Sequence, residues 1–138
     1  MSIKRQIVAF ASYIAVTFAW AIIWNLVFFK EAYSALAVSA YRSEPIIPLG
    51  FVAIVIQAIT ITYLFGKFFP LAPTLKTALM LTVGFGVFLI TYAALVVPAK
   101  FAVSPTFEYV ALELVFEIIH FVLIGLMFFS IFRNVKSV

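Results

Sequence analysis

The amino-acid sequence predicts an all-α membrane protein, an antiparallel up-down bundle of four transmembrane helices forming one domain over residues 1–138. Three observations carry this. First, 67% of the residues are hydrophobic and only 10% are charged, against about 45–50% and about 25% in an ordinary soluble domain. A soluble fold of this length has too few polar side chains here to cover its wet surface. Second, the apolar residues fall into four runs, each reaching the roughly 20 residues needed to cross a bilayer at ~1.5 Å rise per residue. Third, lysine and arginine sit at the ends of those runs and form no continuous patch, so the formal charge of +4 does not indicate nucleic acid as a partner.

The first span is expected over residues 6–29. It follows Lys4 and Arg5 and ends at the polar stretch from Lys30-Glu31 to Arg42-Ser43-Glu44. This run exceeds the about 7–15 residues of a signal-peptide core and has no clear small-residue cleavage site, so it reads as a retained helix. Pro45 and Pro48 open the second span, 46–69, because proline is tolerated in a first helical turn. The segment Gly66-Lys67-Phe68-Phe69-Pro70-Leu71-Ala72-Pro73 breaks the chain. The third span, 74–97, is expected to stop at Pro98 and Lys100. Ser104-Pro105-Thr106 is expected to cap and start the fourth, 107–132. Short connections make sequential helices antiparallel neighbours. Strands are rejected because barrel strands alternate polar and apolar over about ten residues, whereas these runs are apolar on all sides for twice that length.

Lys4, Arg5, Lys67, Lys76, Arg133 and Lys136 fall on one side with no acid among them; Lys30, Arg42 and Lys100 on the other are offset by Glu31, Glu44 and Glu108. The positive-inside rule therefore places both termini and the middle loop in the cytoplasm, and the longer Lys30–Glu44 loop outside. The absence of cysteine excludes disulfides, thiolate metal sites, Cys nucleophiles and Cys-x-x-Cys-His haem attachment. No Ser-His-Asp set, Gly-rich phosphate loop or Rossmann fingerprint is present, and no cofactor is assigned.

Ionisable groups inside a span are costly, about 2.5–3.5 kcal/mol each at a helix centre, and are therefore informative. Glu113, Glu117 and His120 of the fourth span are spaced i, i+4, i+7 and share one face, which Tyr109 extends. Depth counting places Glu117, His120 and Gln57 of the second span near mid-bilayer, with Asn25 and Tyr92 in the outer half. Thr77, Gly84, Thr91 and Pro98 recur every seven residues as a small-residue seam, and Gly50, Ala53 and Gln57 lie on one stripe of the second span. These faces are expected to meet, giving an interior polar from mid-bilayer outward and closed by Phe, Leu and Ile toward the cytoplasm. Tyr13, Thr17, Trp20 and Trp24 also form one stripe, read as packing or lipid-facing with interfacial anchoring.

Three roles suit the acidic face. Glu113, Glu117, His120, Gln57, Asn25, Tyr92 and Tyr109 can hydrogen-bond one another merely to fix helix register. They can instead bind a small ligand, cation or proton, the imidazole sharing a proton with a buried glutamate. Glu117-x-x-His120 with Glu113 also has the spacing of a carboxylate metal site, although ferritin-like sites need two such motifs and further glutamates, which only a homodimer could supply.

Glu44-Pro45-Ile46-Ile47-Pro48-Leu49-Gly50 followed by Gln57, with Trp24-Asn25 and the fourth-span glutamates, resembles a group of small uncharacterised bacterial four-span proteins. The resemblance implies a multi-pass protein of the bacterial inner membrane and no mechanism. The sequence thus points to a non-enzymatic bundle, in the lipid bilayer, that binds a small ligand or cation, with possible transport, or stabilises a homo-oligomer or larger membrane complex. The alternative is a metal-carboxylate membrane enzyme using Glu113, Glu117 and His120.

Overall fold

The structure, a computed structural model, describes residues 3–38, 46–69 and 72–133. Its elements are α1 (Ile3–Ile22), extended by π-helical turns over Ile23–Phe28; α2 (Lys30–Ala35); β1 (Ala37–Val38); α3 (Ile47–Phe68); α4 (Leu75–Thr91), extended by π-helical turns over Tyr92–Val96; α5 (Val97–Lys100); β2 (Val103–Ser104); and α6 (Thr106–Phe132). Four stretches are long and apolar enough to cross a membrane: Ile3–Phe28, Ile47–Phe68, Leu75–Lys100 and Thr106–Phe132. The expected all-α four-helix architecture is therefore present. Large apolar side chains such as Phe107 (82% exposed), Phe88 (79%) and Leu49 (65%) cover the outer surface, which only a lipid bilayer can solvate without cost. The chain is a multi-pass membrane protein.

Local chemistry sets most boundaries. Pro48 lies in the first turn of α3, where its missing N–H costs nothing. Thr74 and Thr77 form a reciprocal capping box at the start of α4: each hydroxyl accepts from the other's backbone N–H, at 3.2 and 3.0 Å. Pro45, Pro70, Leu71, Arg42, Glu44 and Lys136, which enter the sequence reading, lie outside the described residues.

Three local expectations are corrected. Pro98 does not end the third span, because the π-helical turns just before it displace the backbone pattern that a proline ring would otherwise clash with; the helix runs on to Lys100. Ser104 does not cap α6: it lies in β2, where Ala37 pairs with Ser104 and Val38 with Val103 in an antiparallel ribbon. Thr106 instead donates its hydroxyl to the Val103 carbonyl at 2.7 Å. The segment after the first span is not simply a loop, since α2 and β1 fold it back over the bundle.

We call the end where α1 starts and α6 finishes the terminal end, and the end carrying α2 and the ribbon the loop end. The α6 helix packs most extensively on α4 and also on α1; α3 lies against α1, and α3 and α4 touch little. The α4 seam differs from the expected one. Gly84 and Gly50 have open space where a Cβ would be, and Thr91 and Ala53 are exposed. The buried face of α4 is Ala78, Thr82, Gly86 and Ile90, an i+4 ridge of the kind that interdigitates between helices. Thr77 and Thr91 do not require a partner across the bundle, because the first is spent in the capping box and the second donates to its own helix at Val87. At the terminal end the core is Ala9, Tyr13, Ala58, Ile61, Phe65, Ala78, Ile124, Phe128 and Phe132. The Phe65 ring meets Phe128 edge-on and Phe132 in a stack, both with centroids 5.1 Å apart.

Candidate functional site

The acidic face of α6 turns toward α1, and the residues it meets are Tyr13, Thr17, Trp20 and Trp24. Both stripes repeat at three- and four-residue intervals, so two helices lying side by side bring them into register. His120, near the middle of α6, is only 4% exposed. Its Nε2 lies 2.8 Å from the Thr17 hydroxyl, which donates or accepts according to the tautomer. Its Nδ1 is buried without a hydrogen-bond partner among the described residues and lies 3.5 Å from Glu117 Oε2. The ring is held by Phe116, nearly parallel at 6.1 Å, by Phe121 at 4.8 Å and by Tyr13 at 6.1 Å.

The Tyr13 hydroxyl donates to Gln57 Oε1 at 3.2 Å, linking α1 to α3. The Trp20 indole N–H donates to the Phe116 carbonyl at 3.2 Å and its ring stacks on Phe116. One turn nearer the loop end than Glu117, Glu113 accepts from the Tyr33 hydroxyl at 2.9 Å, and that hydroxyl accepts from the Trp24 indole N–H at 3.2 Å. Tyr33 reaches inward because the chain turns at Phe29, whose N–H bonds the Trp24 carbonyl, and α2 starts immediately with Tyr33 N–H on the Phe29 carbonyl.

Of the residues expected at the site, Glu113, Glu117 and His120 form one ladder along α6, and Gln57 meets Tyr13 on the adjacent turn of α1. Tyr109 is buried one turn further out, with Leu36 and Val103. Asn25 is not part of the ladder; its amide donates to Ala21 of its own helix at 3.0 Å. Tyr92 is 56% exposed on the outer surface. As a metal set, Glu113, Glu117 and His120 do not converge: among the described residues no group of three His, Cys, Asp or Glu side chains is placed to hold an ion.

Thr17, Tyr33 and the two indoles belong to the site and were not expected there. The α1 stripe was visible in the sequence, and its spacing matches that of the acidic face. Tyr33 left no such signal, since nothing in the residues around it marks α2 as folding back.

The arrangement joins an acid and an imidazole at a separation too long for a hydrogen bond and short enough for a strong charge interaction once both are ionised. A proton arriving on Nδ1 therefore finds a carboxylate ahead of it and a hydroxyl behind, able to accept from Nε2. No protein-family model, no curated protein and no solved structure matches the chain.

Proposed function

We propose that this is a non-enzymatic protein of the bacterial inner membrane, with both termini cytoplasmic, that takes up a proton from the outer side onto the Glu113–Glu117–His120 ladder. The orientation is supported by Lys4, Arg5, Lys67, Lys76 and Arg133 at the terminal end, with no acid among them. The bacterial inner membrane is what the resemblance to small bacterial four-span proteins suggests. Tyr33 and Glu113 lie on the loop side of His120, and the aromatic core of Phe65, Phe128 and Phe132 closes the other side. The ladder is thus a half-path, reached from one face only.

One observation carries the reading: among the described residues the His120 Nδ1 is buried without a hydrogen-bond partner, beside a carboxylate. An imidazole used only to fix helix register would have both nitrogens satisfied, because an orphaned buried polar atom costs about 1–3 kcal/mol.

The chain contains a single histidine, so an imidazole 15N spectrum of labelled protein in lipid nanodiscs reports His120 alone. The expected result is a spectrum that changes with pH, with a pH response altered by Glu117→Gln. In vesicles with the loop end outward, an external acid pulse changes the signal faster than an internal one. A spectrum constant across the range in which imidazoles and carboxyls titrate overturns the proposal.

A further inference from the structure

A second feature lies outside the ladder. Where α1 turns into α2, the loop end of α6 stands off and leaves an open groove of about 410 Å³. That volume falls within the ~300–1,000 Å³ of small-molecule sites. Its walls are Trp24, Phe29 and Phe107 with Ala111 and Val115, and among the described residues the one charged residue on it is Glu108. The Trp24 and Phe29 rings, 4.3 Å apart, make one wall. The Trp24 N–H is already spent on Tyr33, so what Trp24 offers the groove is its ring.

We propose that this groove binds a lipophilic organic cation, its apolar body against the aromatic wall and its charge beside Glu108. The choice of charge rests on complementarity. Aromatic faces attract cations and repel anions through the ring quadrupole. Among the described residues no lysine or arginine pairs with Glu108, and Lys30 and Lys100, at the same end, line no part of the groove. At the membrane surface, where the local dielectric is below that of water, a single carboxylate discriminates strongly between ligands of opposite charge. Glu108 also lies in the first turn of α6, where a carboxylate complements the helix N-terminus. That local role predicts no preference for one ligand charge over another, which separates the two.

The test uses two probes of one shape and opposite charge, tetraphenylphosphonium and tetraphenylborate. Each is equilibrated with the full chain in phosphatidylcholine nanodiscs, and uptake by empty discs is subtracted. The expected outcome is saturable binding of the phosphonium and none of the borate. Glu108→Gln, a near-isosteric change at an exposed position, weakens phosphonium binding about tenfold. Ala111→Trp, which fills the groove, abolishes it. Equal uptake of both probes would mark the groove as a seat for neutral chains and overturn the proposal, as would phosphonium binding that Glu108→Gln leaves unchanged, or no binding above empty discs. Glu108→Gln leaves the pH response of His120 intact, so failure of this site and failure of the ladder are told apart.

Discussion

The two halves of the bundle are joined by different materials. At the terminal end, helices approach through small residues and aromatic rings: Gly125 sits against Thr82 and Leu79, and Phe65, Phe128 and Phe132 fill the space between α3 and α6. Toward the loop end, α1 and α6 are joined by an imidazole, hydroxyls, indoles and two glutamates, and both α1 and α4 widen into π-helical turns. In lipid an apolar helix contact gains packing but little solvent-driven free energy. In the terminal half close packing joins α4 to α6, while between α1 and α3 it is supplemented by the Tyr13–Gln57 hydrogen bond. The ionisable groups of the other half are therefore more than the assembly of the bundle requires.

The largest effect should come from breaking the packed half. A Cβ on Gly125 would lie 2.6 Å from Thr82 Oγ1, 2.7 Å from Leu79 Cδ2 and 3.3 Å from the Leu79 backbone, so Gly125→Leu forces α4 and α6 apart. We expect a loss of about 1–3 kcal/mol, read as a lower unfolding midpoint in detergent. Gly84→Leu, into open space on the same pair of helices, should stay within about 0.5 kcal/mol. Equal costs at the two glycines would mean that the α4–α6 contact is not what holds this half.

Two buried threonines sharpen the contrast next. Thr17 bonds His120, whereas Thr62 Oγ1 has no hydrogen-bond partner among the described residues. Thr17→Val strands Nε2 in the interior and should cost about 1 kcal/mol, within the range of interhelical hydrogen bonds in membranes. It should also move the imidazole 15N signal. Thr62→Val removes an unsatisfied hydroxyl at nearly constant shape and should be neutral or stabilising. A Thr17→Val protein with wild-type stability and an unmoved signal would dissolve the distinction.

A smaller effect is expected at the loop-end link. Tyr33→Phe takes away the hydroxyl between Trp24 and Glu113 and should cost about 0.5–1 kcal/mol. The indole loses its acceptor, so tryptophan emission changes. Glu113→Gln keeps an acceptor for Tyr33 and should cost less. The reverse order would show that Glu113 is held by groups other than Tyr33.

The sequence made the spans legible because each is a long uninterrupted apolar run, and no boundary differs from expectation by more than three residues. It also made the acidic face legible, since Glu113, Glu117 and His120 are rare residue types inside a span at helical spacing. The stripe expected on α4, Thr77, Gly84 and Thr91, shares no residue with the buried one, Ala78, Thr82, Gly86 and Ile90. Glycine and threonine at seven-residue intervals look like a contact stripe, but a straight helix drifts ~20° per heptad, and the hydroxyls were already satisfied locally. Partners across the bundle were harder still, as His120 finds Thr17 through the relative rotation of α1 and α6, which no single span encodes.

Asn25 and Tyr92 are where that difficulty matters most, and where the smallest effects are expected. Depth counting puts both in the polar half, but each lies in a π-helical stretch, where the backbone register moves from i−4 to i−5 and residues rotate away from an α-helical projection. Asn25 is turned to the Ala21 carbonyl, four residues back, and Tyr92 to the outer surface. Asn25→Ala removes only a bond within its own helix, and Tyr92→Phe only an outward hydroxyl. Both should change stability by no more than about 0.5 kcal/mol and leave the pH response of His120 as it is in the wild type. A changed response in either variant would mean that the polar half reaches beyond the α1–α6 contact, and that the widened turns deliver these side chains to the ladder instead of removing them from it.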